Sequence, residues 1–181
     1  SVFPYVNGGL FKDSYKAPKF TKHSRQIIIE CGTLDWAEIN PDIFGSMMQS
    51  VVSFEDRANV GMHYTSVENI MKLIKPLFLD ELYEDFEKAN GNNEKLKKLL
   101  NRLHNIKIFD PACGSGNFLV IAYKELRKLE IKVLQESGMV GLSGISLNQF
   151  YGIEIEDLAH EIAILSLWFA KHQMSIEFHE E

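Results

Sequence analysis

Residues 109–118, FDPACGSGNF, place an acid, two glycines and an asparagine between an apolar run and an apolar helical pattern. Free backbone N–H groups at a helix N-terminus attract anions and polar acceptors. Gly114 and Gly116 carry no side chains, so a ligand can approach the main chain closely. Asp110 ends the apolar run, where ligands bind in open α/β sheets. A carboxylate there suits a ligand amine better than a pyrophosphate.

A second acid, Glu154, lies near the end of the segment QFYGIEI. An acid at the end of the second strand is placed to accept hydrogen bonds from ribose hydroxyls. Along the chain, Glu154 is further from the glycine loop than the roughly 20 residues that are usual in dinucleotide-binding folds. The loop at residues 138–146 accounts for this, because an insertion after a helix leaves the strand ends in place. An amine and a ribose together favour S-adenosylmethionine over NAD as the ligand.

The elements that must position these acids follow from the hydrophobic pattern. IKIFD predicts a strand, the residues from Gly116 onward a helix, QFYGIEI a second strand, and EDLAHEIAILSLWFAKH a buried helix. Several helices precede them, so the fold class is α/β, a parallel sheet behind a helical segment. Two strands do not make a stable doubly wound sheet, and the chain begins at Ser1 rather than Met. We therefore expect an excised piece of a longer protein.

The segment before the sheet shows helix signals of its own. In TSVENIMKLIKPLFLDELYEDF, Thr65 and Glu68 predict a capping box, and Pro76 predicts a kink or break. The predicted apolar stripe consists of Ile70, Leu73, Ile74 and Leu77. Further on, the triplet Glu-Ile-Lys at residues 130–132 faintly suggests a nuclease motif, but its place on a helix predicts an exposed ion-pairing face.

Composition restricts the class of protein. The chain has 181 residues, with 45% hydrophobic and 24% charged residues, as is ordinary for a soluble globular protein. It shows no apolar run of transmembrane length and no signal peptide, and Cys31 and Cys113 match no disulfide or metal spacing, so we expect a cytoplasmic protein without a metal site or membrane contact. Because the net charge is -6, any affinity for nucleic acid must come from a local basic patch or from a part of the protein outside this chain.

Three segments carry a family resemblance. DPACGSGNFL resembles motif I of the class I, S-adenosylmethionine-dependent DNA amino-methyltransferases, GMHYTS at residues 61–66 is similar to their motif X, and FYGIEIEDLAHEIAILSLW resembles motif II and its helix. Motif X before motif I matches the gamma order of N6-adenine enzymes. PYVNGGLF and DWAEINPDIFGSMMQSV resemble the region before the core in fused restriction–modification enzymes of the MmeI type.

The resemblance implies a partial Rossmann-like domain and a role for each matching residue. It divides the chain into an irregular and helical lead-in, residues 1–60, and the first part of an S-adenosylmethionine-binding domain, residues 61–181, with motif I at 109–118 and motif II at 150–155. The implied cofactor-binding residues are His63, Tyr64, Thr65, Asp110, Ala112, Gly114, Gly116, Asn117, Phe118, Glu154 and Ile155.

Within that set the family pattern separates three parts of the pocket. The loop from Asp110 to Phe118 would form the methionine side, Glu154 would hold the ribose and Ile155 would pack on the adenine. Residues 63–65 would close over the cofactor, with Thr65 near its carboxylate. Ser66 departs from the usual proline, which lowers the rigidity expected of this closing element.

The catalytic motif IV of the family, Asn/Asp-Pro-Pro-aromatic, does not occur in this sequence, so no catalytic residue is assigned. NPDI at residues 40–43 lacks the second proline and the aromatic. We expect this chain alone to be inactive. We expect the full-length protein to bind double-stranded DNA through parts outside this chain. Two alternatives remain: methylation of an RNA base or a protein amide, which the upstream helical segment disfavours, and a non-catalytic module of a phage-defence assembly.

Overall fold

A computed structural model describes residues 9, 18–34, 43, 46–47, 65–139 and 143–179. In this part of the chain, helices and two strands follow one another in the order α1 Lys22–Cys31, α2 Val67–Ile74, a π-helical turn Lys75–Leu79, α3 Asp80–Ala89, α4 Asn93–Asn105, β1 Ile108–Asp110, α5 Asn117–Ser137, a 3-10 turn Leu147–Gln149, β2 Phe150–Gly152 and α6 Asp157–His179. Most of the predicted lead-in, residues 1–60, lies outside the described residues.

The start of α2 differs from the predicted capping box. Ser66 is the N-cap, and its hydroxyl accepts a hydrogen bond from the N–H of Asn69. Thr65 lies one residue before the cap, and Glu68 pairs with Lys72 at 3.1 Å instead of reaching back to the cap. The prediction of Thr65 as the cap is therefore wrong by one residue, because two adjacent hydroxyl residues offered the same sequence signal.

Pro76 lies in the π-helical turn between α2 and α3. The N–H of Asp80 donates to the carbonyl of Lys75, so the chain widens by one residue around the proline and continues as a helix. The buried stripe consists of Ile70, Ile74, Phe78, Leu79 and Leu82. Leu73 and Leu77, predicted to belong to it, are 57% and 64% exposed. A spacing of four residues sets the buried line, which leaves both leucines on the outer side.

The two strands form a parallel pair, with Ile108 opposite Phe150 and Asp110 opposite Gly152. Ile108 and Phe150 face the core, and the ring of Phe150 meets that of Tyr123 on α5 edge to face at 5.4 Å. Phe109, the next residue of β1 after Ile108, is exposed on the opposite face. The predicted order of strand, helix, strand and helix, and the parallel pairing, are confirmed.

Helix α5 is the centre of the core. It packs against both strands and against α2, α4 and α6, and most of its side chains are buried. One of them is Glu130, which is fully buried beside Arg127. The prediction of an exposed ion-pairing face at residues 130–132 is wrong for Glu130, because the loop after α5 folds back over that side of the helix.

Among the helices in the described part of the chain, none has both the length and the apolar composition that crossing a bilayer requires.

Candidate functional site

The loops that follow the two strands are joined to each other by the main chain. The N–H of Ile153 donates to the carbonyl of Asp110 at 3.0 Å, and the N–H of Cys113 donates to the carbonyl of Ile153 at 3.0 Å. These bonds continue the parallel pairing beyond the strands. The two acids predicted from the sequence, Asp110 and Glu154, are thereby brought to the same edge of the sheet.

Glu154 is held in place by three backbone N–H groups. Its Oε2 accepts from Gly114 at 2.8 Å, and its Oε1 accepts from Ile155 at 2.8 Å and from Glu156 at 2.9 Å. The bond to Gly114 connects the second acid directly to the glycine loop of the first strand, across 40 residues of sequence. The carboxylate is half-buried and oriented before any ligand arrives.

Asp110 uses one carboxylate oxygen within its own loop. Its Oδ1 accepts from the N–H of Ala112 at 3.1 Å, which fixes the turn after β1. Among the described contacts, the other oxygen, Oδ2, has no donor. A half-buried carboxylate with one oxygen engaged and one available can accept a hydrogen bond from a ligand amine.

The two glycines of the loop serve different purposes. Gly114 has a φ of 53°, and a Cβ built there would meet nothing within 4 Å, so the main chain is open to a ligand. Gly116 has a φ of 83°, and a Cβ there would lie 3.0 Å from the Cβ of Ala163 on α6. Ligand approach was predicted at both glycines; at Gly116 the close neighbour is instead helix α6.

Asn117 and Phe118 begin helix α5 directly after this glycine. The side chain of Asn117 is buried, and its Oδ1 has no hydrogen-bond partner. A buried amide oxygen without a donor is costly unless a ligand or water supplies one. Phe118 packs against the core and lines a cavity of about 240 Å³ together with Leu77, Phe78 and residues 106–109.

The remaining predicted site residues are spread over the described and undescribed parts of the chain. Ile155 follows Glu154 and is 81% exposed, so its side chain is available to cover a ligand. Thr65 is exposed at the start of α2. His63 and Tyr64 lie outside the described residues.

Cys113 lies between the two acids but is not a reactive thiol. Burial first, and then the charges of Asp110 and Glu154, raise the pKa of the Cys113 thiol to about 11. The thiolate is therefore scarce at neutral pH. Within the described residues, no three His, Cys, Asp or Glu side chains converge as metal ligands would.

Comparison with known proteins identifies the family of the chain. Residues 86–181 match the model of the MmeI DNA-methyltransferase domain. The chain is 56% identical to DNA methyltransferase A of Bacillus subtilis (strain 168), over 99% of its own length and 21% of that protein. It superposes with a TM-score of 0.84 and 45% identity on the type IIL restriction–modification enzyme MmeI, solved in complex with DNA, covering 98% of this chain and 25% of that one.

The chain belongs to the MmeI DNA-methyltransferase domain family, as its motifs predicted. It spans about a quarter or less of the length of these relatives.

Proposed function

We propose that the full-length protein transfers a methyl group from S-adenosylmethionine to the N6 amine of adenine in DNA, within a restriction–modification system. The observation that carries the proposal is the hydrogen bond between Gly114 and Glu154, which joins the glycine loop of β1 to the acid after β2. We interpret this arrangement as the ligand edge of a Rossmann-like sheet, of which the described residues contain two parallel strands.

The ribose fits the geometry of Glu154. A carboxylate offers about four lone-pair positions, and the three backbone donors leave capacity on Oε2 for a hydroxyl. Ile155, exposed beside it, is proposed to cover the adenine ring. Glu154 and Ile155 are adjacent in the chain, just as the ribose and the adenine are adjacent in S-adenosylmethionine.

The methionine portion fits the loop after β1. Asp110 supplies an available carboxylate oxygen for the amine, and Gly114 opens the main chain to close approach. The unpartnered Oδ1 of Asn117 is an additional acceptor. Ala112 and Phe118 are proposed to belong to the same side of the pocket, as the family pattern implies. Residues 63–65 are proposed to close over the cofactor, as the family pattern implies.

The cofactor supplies an electrophilic methyl group on a sulfonium. The residues of this chain would contribute by binding and orienting it, and proximity of this kind would provide much of the rate. The groups that align the adenine amine and hold double-stranded DNA are proposed to lie elsewhere in the full-length protein. This chain alone is expected to be inactive, and the reaction takes place in the cytoplasm with the cellular DNA.

Incubation of the full-length protein with labelled S-adenosylmethionine and an adenine-containing duplex tests the proposal. The expected product after digestion is labelled N6-methyladenine. Glu154→Gln should strongly reduce the yield at limiting cofactor, whereas Glu156→Gln, which changes the exposed acid two residues away, should leave it unchanged. Label transferred to RNA or protein instead, or no transfer by the intact protein, would contradict the assignment.

A further inference from the structure

The amino ends of the two strands are joined by one buried side chain, that of Gln149. Its Nε2 donates to the carbonyl of Leu103 at 2.9 Å and to that of Ile106 at 2.8 Å. Its Oε1 accepts from the N–H of Ser146 at 2.8 Å. Gln149 thus holds the end of α4, from which β1 starts, against the turn from which β2 starts.

The same side of β2 is anchored by the buried acid Glu130 on α5. Its Oε2 accepts from the hydroxyl of Ser143 at 2.7 Å, and its Oε1 accepts from the N–H of Gly144 at 2.8 Å and contacts Nε2 of His104 at 2.7 Å. Arg127 pairs with it from the same helix. The loop before β2 is therefore fixed to α4 and α5 through side chains.

Few residues separate Gln149 from Glu154, the acid that is proposed to bind the cofactor. Gln149 immediately precedes β2, the strand spans Phe150–Gly152, and Glu154 follows two residues later. Three residue pairs with β1, and the two main-chain bonds that Ile153 makes beyond them, hold the strand in register. With so short a ladder, the position of β2 along and across β1 depends on what anchors its two ends.

We infer that Gln149 is a positioning residue for cofactor binding, acting through β2 on Glu154. The inference rests on the proposed function, since it presumes that Glu154 holds the ribose. Without the amide, the carbonyls of Leu103 and Ile106 lose their donor and β2 can shift relative to β1. The bond between Glu154 and Gly114, which is only 2.8 Å long, is sensitive to such a shift.

The test is the affinity of the full-length protein for S-adenosylmethionine, measured by calorimetry well below the melting temperature. Gln149→Met keeps the length of the side chain and removes its three hydrogen bonds. We expect the cofactor Kd to rise about tenfold or more. In turnover, KM for the cofactor should rise with it while KM for DNA stays near that of the unchanged protein.

The control is Leu82→Ala, which cuts a fully buried side chain on α3, a helix that packs mainly on α4 and the π-helical turn, and is expected to lower the melting temperature. It should leave the cofactor Kd unchanged. If Gln149→Met does not fold, Gln149→Asn retains the amide but is one methylene too short for all three bonds, and should weaken binding in the same direction.

An unchanged Kd in the folded Gln149 variants, with a melting temperature lowered as in Leu82→Ala, would show a purely structural role and overturn the inference while leaving the proposed function standing. If the unchanged protein binds no S-adenosylmethionine at all, the proposed function fails first and the inference fails with it.

Discussion

At the residue scale, the two loop glycines predict different costs on substitution. Gly116→Ala combines a left-handed φ with a contact of 3.0 Å to Ala163, so it should destabilise the fold by about 2–4 kcal/mol. Gly114→Ala meets the conformational cost alone, about 1 kcal/mol, because its Cβ would enter open space. Urea unfolding of both variants measures the difference.

The same pair separates fold from ligand binding. Gly114→Ala should weaken S-adenosylmethionine binding more than it weakens the fold, since the added methyl would occupy the open side of the main chain. Equal losses of unfolding free energy in the two variants would show that the packing of α6 on Gly116 is not as close as described.

Glu130 carries a pH prediction. Burial acts to raise its pKa, but the hydrogen bond from Ser143, the charge of Arg127 and the N–H of Gly144 outweigh burial and hold the pKa of Glu130 below its ordinary value of 4.5. Ionised Glu130 therefore stabilises the folded state fully above pH 4.5, and this contribution is lost as the pH falls through the lowered pKa.

Glu130→Gln isolates that contribution. Breaking a buried pair costs about 3–5 kcal/mol, because Arg127 would be left buried and uncompensated. The difference in unfolding free energy between the two proteins should be constant from pH 7 to about 5 and shrink at lower pH. A difference that grows on acidification would reverse the sign of the argument.

The sequence could predict the acids and glycines of the site, but not the long-range hydrogen bonds that hold its strands in place. Asp110 and Glu154 follow apolar runs, and strand ends are visible in a local pattern. The spacing of Ser146 and Gln149 fits a capping box, but no spacing along the chain indicates the bonds of Gln149 to groups 43 and 46 residues away, or those of Glu130 to groups 13 and 14 residues away. Glu130 was placed on an exposed face because helical periodicity does not show a loop that folds over it.

At the element scale, the start of α2 tests which hydroxyl is the cap. Ser66→Ala should destabilise the protein by about 1 kcal/mol, since the N–H of Asn69 loses its acceptor. Thr65→Ala, an exposed position outside the helix, should change the unfolding free energy by less than about 0.5 kcal/mol. The reverse order of the two losses would restore the capping box predicted from the sequence.

The sequence predicted that the segment forming α2 and α3 is helical, but it did not predict which face of α2 is buried. The proline suggested a break between α2 and α3, but the π-helical turn accommodates Pro76 and lets the helix continue. Leu73 and Leu77 fit an apolar stripe equally well on paper. Only the packing of α2 against α5 decides that Ile70 and Ile74 are the buried pair.

At the scale of the whole molecule, the order of elements was predictable because strands joined through a helix pair in parallel and right-handed fashion. The parallel register of β1 and β2 brings the two acid-bearing loops together. Membership of the MmeI methyltransferase family agrees with this order. The proposed cofactor pocket depends on the two acids and on the parallel strands that bring them together, and it fits a methyltransferase family.

Calorimetric titration of the full-length protein with S-adenosylmethionine tests that claim most directly. We predict one binding site per chain, a Kd about tenfold or more higher for Glu154→Gln, and an unchanged Kd for Glu156→Gln. Absence of binding heat in the unchanged protein, or equal affinities for the Glu154→Gln and unchanged proteins, would contradict a methyl-donor pocket at the edge of β1 and β2.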